Sequence, residues 1–132
     1  MPVESTINSS ERLVLTRSWD VVTFEEVVAH QNGLLANQEF NPDYDQLGVH
    51  LDAESLAGTA QQWASIARLK VFSATSFRAH VASKDVIFGL LRLMATHHEL
   101  EHQDENVVTF RDEESARKWL SQMRAKRDTG AI

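Results

Sequence analysis

Two residues that can exchange protons, His50 and Asp52, stand two apart in the run VHLD. A histidine beside a carboxylate can work as an acid–base pair. The carboxyl ends of strands are also where open α/β sheets place their ligands. The same residues alternate with Val49 and Leu51, which equally describes a half-exposed strand. Ser83-Lys84 and Thr23 precede two helical patterns on that edge. Free N–H groups at a helix start attract anions, and Lys84 would add positive charge. Ser83 and Thr23 also serve simply as helix caps. His50, Asp52 and Lys84 are therefore the set an enzyme would use, provided that they converge on one cleft.

A second cluster lies in THHELEH. His98 and His102 are four apart and share one side of a helix, a spacing that can hold zinc or copper, with Glu99 or Glu101 as a carboxylate ligand. His97 precedes them. The segment is polar, reads as a helix end, and shows no partner to orient the imidazoles, so no metal or other cofactor is expected. His30 and His80 read as packing or surface residues. Trp19, between Ser18 and Asp20, falls in a loop before the first main helix. If exposed, it is a contact for a partner or ligand. The sequence holds no G-x-S-x-G, G-x-x-x-x-G-K-[ST], G-x-G-x-x-G or H-E-x-x-H motif.

The 132 residues suit one domain, 1–132, able to bury roughly two-thirds of its unfolded surface. Apolar residues make up 42% and charged ones 24%, a globular composition. The absence of cysteine removes disulfides, thiolate zinc sites and cysteine nucleophiles together. A net charge of −6 disfavours nucleic acid. No apolar run reaches the roughly 18–20 residues of a membrane span, and MPVESTINSS lacks the pattern of a signal peptide. A soluble cytoplasmic protein without membrane insertion is expected.

The elements that must position these residues follow from periodicity. Residues 3–8 and 12–17 are β-prone and flank the polar turn Asn8 to Glu11, which predicts a hairpin. Phe24, Val27, Val28, Leu34 and Leu35 recur at helical spacing over 24–37, behind a Thr23–Glu26 capping box. Asn41-Pro42-Asp43 breaks the chain before a strand at 45–51. A helix over 54–69 carries Leu56, Ala60, Trp63 and Ala67, and 73–76 is a loop. Residues 77–82 form a strand, and Ser83 caps a helix bearing Val86, Ile87, Leu90, Leu91 and Met94. Residues 99–106 form a loop and Val107 to Phe110 a last strand. Asp112 caps a final helix with Ala116, Trp119, Leu120 and Met123, and the tail frays after Lys126. Phe24, Trp63, Phe88 and Trp119 are core anchors. The fold class is α/β: a mixed, mostly parallel sheet with an N-terminal β-hairpin.

Three stretches together resemble the SpoIIAA-like family, which has the STAS/SEC14-type fold. They are DVVTFEEVVAHQNGLLANQEFNPDYDQL (20–47), FRAHVASKDVIFGLLRLM (77–94) and NVVTFRDEESARKWL (106–120). The resemblance implies four βα units with helices packed mainly on one face of the sheet. It also implies a regulator or a lipid-type ligand carrier. Relatives that antagonise anti-sigma factors carry a phosphorylated serine at a helix start, in an Asp-Ser-Ser-Gly loop. The corresponding stretch here is LDAESLAG. It offers Ser55 without the neighbouring Ser and Gly.

Three readings follow. The first is a non-enzymatic regulatory or protein-interaction module, with a homodimer through the hairpin edge as its simplest assembly. The second is a carrier of a small apolar ligand, which requires a pocket between sheet and helices. The third is an enzyme built on His50, Asp52 and Lys84.

Overall fold

The chain enters the fold through a hairpin. In the computed structural model, which describes residues 2–66, 69–102 and 106–130, β1 (Val3–Asn8) pairs antiparallel with β2 (Leu13–Thr23). Asn8 Oδ1 accepts from Glu11 N at 3.0 Å and from the Ser10 hydroxyl at 2.8 Å, the local side-chain bond that makes asparagine a turn former. Three βα crossovers and a closing helix follow: α1 (Phe24–Ala36), β3 (Asp45–Ala57), α2 (Ala60–Ile66), β4 (Arg78–Val81), α3 (Asp85–His102), β5 (Val107–Phe110) and α4 (Glu113–Asp128). The strand order is β1-β2-β3-β4-β5, and every pair after the hairpin is parallel. The expected mixed, mostly parallel sheet with its hairpin is therefore present, and the strands expected at 77–82 and 107–110 are parallel neighbours.

The sheet's two faces differ. Because side chains alternate along a strand, Leu47 and Val49 of β3 and Ala79 and Val81 of β4 face α4, where they pack with Phe77, Ala116 and Leu120. Trp119 closes this layer edge-on to Phe77 at 5.9 Å. Helices α1, α2 and α3 lie on the opposite face. Strands that march in one direction through βα crossovers of one hand return each connecting helix to the same side. Helix α4 has no later strand to feed, so it covers the face left open. Val14 with Leu34, Val71 and Phe72, and Ala53 with Ala82, Ile87 and Leu91, form two smaller clusters on the three-helix side.

Several boundaries differ from the sequence expectations, for traceable reasons. β2 runs past residue 17 to Thr23 and β3 past 51 to Ala57, because their parallel ladder continues to Thr23↔Ala57. Register shifts at Arg17/Trp19 and Asp20/Val21 break the alternation that would have signalled a strand. Leu56 is thus a strand residue, the described part of the helix expected over 54–69 is Ala60–Ile66, and Ala67 lies outside the described residues. Helix α3 continues through His102, so residues 99–102 of the expected loop are helical, and 103–105 lie outside the described residues. Helix α3 starts at Asp85, and the Phe88 amide bonds Lys84 O, which places Lys84 rather than Ser83 at the cap position. Val86, 72% exposed, and Leu35, 54% exposed, lie outside the apolar faces assigned to them.

Helix α4 does not fray after Lys126. Arg127 grips the fully buried Asp45 carboxylate with two parallel bonds of 2.8 Å, and Arg124 Nε adds a third at 2.9 Å. Asp45 Oδ1 also accepts from Phe77 N at 2.8 Å. Its charge raises the Arg127 pKa above its ordinary value, first through the side-chain hydrogen bond. The Arg124 guanidinium also bonds Glu11 O in the hairpin turn. One carboxylate thus holds the starts of β3 and β4 and the last turn of α4. The Asp45→Ala variant is expected to lose about 3 kcal/mol in urea unfolding, because a buried hydrogen-bonded charge pair is broken from one side. A loss under about 1 kcal/mol would show that the clamp is replaceable by water.

Candidate ligand-binding site

A parallel sheet covered on both faces ordinarily carries near-continuous apolar strands. Here the three-helix face does not. Thr16 and Ser18 of β2, Gln46, Gly48 and His50 of β3, and Arg78 and His80 of β4 stand on adjacent strands on that side. The ladder aligns Ser5, Thr16, Gly48, His80 and Thr109 as successive partners across all five strands. Above this stripe lies a cavity of about 160 Å³. Val27 of α1, Trp63 and Ile66 of α2, and Leu91 and Met94 of α3 form its apolar roof. His30, His50 and His80 line it from the polar side, and no carboxylate lines it among the described residues.

The polar floor is organised as two hydrogen-bonded chains. In the first, Ser5 Oγ meets His30 Nε2 at 2.6 Å and Thr16 Oγ1 at 2.7 Å, and Gln46 Nε2 donates to the same Thr16 oxygen at 2.9 Å. In the second, Ser18 Oγ lies 2.6 Å from His50 Nδ1, and His50 Nε2 lies 3.1 Å from His80 Nδ1. The two imidazoles are nearly parallel, 19° apart. Gly48 makes this possible. A Cβ at position 48 would sit 2.5 Å from His80 Nδ1 and 2.9 Å from His50 Nε2.

Electrostatics fixes the charge of this floor. Burial pushes His50 down to about 4, with a smaller contribution from His30. Burial also pushes His80 down to about 3, helped by His50 and then by Arg78. Burial lowers His30 as well. All three are neutral at pH 7. A neutral imidazole has one N–H and one bare nitrogen, so the Ser18–His50–His80 chain has two proton arrangements. In one, Ser18 donates to His50 and His50 to His80. In the other, His80 donates to His50 and His50 to Ser18. His80 Nε2 is a donor in the first and an acceptor in the second. His80 uses only Nδ1 in hydrogen bonds among the described residues.

The residues singled out in the sequence scatter. His50 reaches the cavity, whereas Asp52 is exposed and pairs in the ladder with Trp19. Lys84 Nζ is taken up by Ala53 O at 2.9 Å. The acid–base set His50, Asp52 and Lys84 therefore does not converge. Thr23 does form the capping box with Glu26. Ser83 is exposed, and its carbonyl accepts from Arg111. Ser55 lies inside β3, opposite Val21, and not at a helix start, so it lacks the setting of the phosphorylated serine. Trp19 is a half-buried residue of β2, not of a loop, and its amide donates to Pro2 O at 2.9 Å. The backbone of α3 carries His98 and His102, but their side chains lie outside the described residues. No metal-ligating group of three is found among the residues described.

The floor residues Thr16, Ser18, Gln46, Gly48, Arg78 and His80 were missed, and so was the role of His30. A usable signal existed. Gln46, Gly48 and His50 alternate with Leu47, Val49 and Leu51, and Arg78 and His80 alternate with Ala79 and Val81. Two central parallel strands that are each polar on one side announce a wet or occupied face.

Neither a family model nor a curated protein matches the chain. Among solved structures it is similar to an uncharacterized DUF3478-family protein with a SpoIIAA-like fold from Shewanella loihica PV-4. The TM-score is 0.53 at 15% identity, over 89% of this chain and 93% of that one. At that identity the likeness is one of architecture. The protein has a SpoIIAA-like α/β fold, as the three sequence stretches implied.

The depressed histidines set a pH dependence. In the unfolded chain they titrate near 6.5, so the unfolded state takes up protons first as pH falls. Stability is full above about pH 6.5 and declines toward pH 4. Between pH 7.5 and pH 5, urea unfolding is expected to show a loss on the order of 2 kcal/mol for each of His50 and His80. His80→Asn should reduce that loss. An unchanged unfolding free energy at pH 5 would mean that the imidazoles are not held neutral.

Proposed function

We propose that the protein is a non-enzymatic small-molecule-binding module whose ligand sits between the sheet and helices α1–α3. The observation that carries this reading is the cavity itself, a polar hydrogen-bonding floor beneath an apolar roof. Ligand sites combine mostly apolar walls with a few placed polar groups in this way. The floor side chains bond one another in two chains, and His80 Nε2, outside those chains, is left for an occupant to meet.

Size limits the ligand. The cavity, about 160 Å³, is near the volume that holds benzene and well below that of a drug-sized cleft. A molecule of about one ring fits, whereas a full lipid chain does not. The non-enzymatic reading rests on the scatter of His50, Asp52 and Lys84 and on His50 itself. With its pKa near 4, His50 is a weak base at neutral pH.

A regulatory role is favoured by helix α3. Its inner side places Leu91 and Met94 on the cavity, while Val86 and Leu93 are exposed on its outer side. Occupancy would bear on the helix from within, and a protein partner would read it from outside.

Native mass spectrometry of the purified protein tests the reading. The chain is expected to retain or take up an adduct of about 100 Da, the mass of a one-ring molecule. Ala95→Phe, which fills the cavity from α3, should lose that adduct and keep a folded charge-state distribution. A bare wild-type chain that also takes up no one-ring molecule from a fragment mixture would refute the proposal.

A further inference from the structure

Helix α3 turns apolar side chains and both signs of charge to solvent. An α-helix rotates about 100° per residue. Gly89 therefore stands at the middle of the side turned away from the buried Ile87 and Leu91. Val86 and Leu93, 72% and 39% exposed, flank it on one side. Asp85 and Arg92 flank it on the other. Glycine inside a helix weakens it relative to alanine, and the chain's own packing does not call for one here. A Cβ at position 89 would meet no atom within 4 Å. Nor are the charges used up within the chain. Asp85 gives Oδ1 to Arg111 at 2.7 Å, and its Oδ2 has no partner among the described residues. The Arg92 guanidinium makes no ion pair among them and lies 5.8 Å from the Phe88 ring centroid.

We infer that this face is a two-fold contact between two copies of the chain, their α3 helices antiparallel and crossing at Gly89. A two-fold contact uses one patch twice, so the patch must complement itself. Asp85 lies four residues before Gly89 and Arg92 three after it, on one flank. In an antiparallel pair each Asp85 therefore stands beside Arg92 of the second copy. On the other flank Val86 lies three before and Leu93 four after, so each Val86 stands beside Leu93 of the second copy. One arrangement thus pairs both charges twice and covers both apolar side chains twice. The missing side chain at Gly89 lets the two backbones approach at the crossing. A wholly acidic partner would meet Asp85, and a wholly basic one would meet Arg92 and Arg111. The outer face from Asp85 to Thr96 is about 18 Å long, which puts the contact in the small, weak class of interfaces.

Sedimentation equilibrium of the full chain, with paired charge reversals, tests the contact. The wild-type chain is expected to dimerise in a concentration-dependent way. Asp85→Arg and Arg92→Asp each set like charges across the contact twice per dimer, and each is expected to weaken the dimer about ten-fold. An equimolar mixture of the two variants restores opposite charges at both places and is expected to recover the association. Neither a folding defect nor loss of the Asp85–Arg111 pair is repaired by mixing. A wild-type chain that stays monomeric up to about 1 mM overturns the contact. So does a dimer that either reversal leaves intact, since it then uses another face such as the edge of β1. A mixture that remains monomeric overturns it as well. The cavity takes no part in this contact, so the ligand-site reading stands or falls separately.

Discussion

No side chain other than hydrogen fits at position 48, because two imidazoles from neighbouring strands meet over that backbone. His50 rises from the same strand and His80 from the next, and their nitrogens bond at 3.1 Å where a β-carbon would otherwise stand. This contact sets the character of the whole three-helix face. It fixes the registers of β3 and β4 from the polar side and orients Ser18 through His50. It also stops the sheet from being sealed by aliphatic packing. Helices above such a floor cannot close down on it without stranding hydrogen-bonding groups, so a space remains.

That arrangement is tolerable because the opposite face is built differently. Leu47, Val49, Ala79 and Val81 meet α4 in a dry layer, and the Asp45 carboxylate binds α4 back to the beginnings of β3 and β4. The division of labour runs strand by strand: odd-numbered residues of β3 supply cohesion, and even-numbered ones supply chemistry. A domain of this length has little stability to spare. The apolar layer and the charge clamp are what offset three neutral histidines between the sheet and the helices.

The alternation of strands and helices is readable from the sequence because α1, α3 and α4 carry apolar stripes, and α1 and α4 have marked starts. Thr23–Glu26 and Asp112 are caps in the structure as in the sequence. The far ends of β2 and β3 were not readable. Two register shifts interrupt their alternation, and Asp20 adopts a left-handed backbone in the middle of β2. The site was legible only at His50. Its partners Ser18 and His80 come from other strands, and cross-strand register joins them only after folding. Asp52 illustrates the converse. Two positions along β3 looked like the same edge as His50, but the extra residue in the strand turns Asp52 out to solvent.

The protonation state of the central pair is the most direct test, since neutral imidazoles are what allow the chain from Ser18 to His80 to exist beneath an apolar roof. Ring nitrogen-15 NMR of labelled histidine at pH 5 reads it residue by residue. His50 and His80 are predicted to show one protonated and one bare nitrogen each, while an ordinary exposed histidine is already fully protonated. Two protonated nitrogens on either ring at that pH would contradict the account.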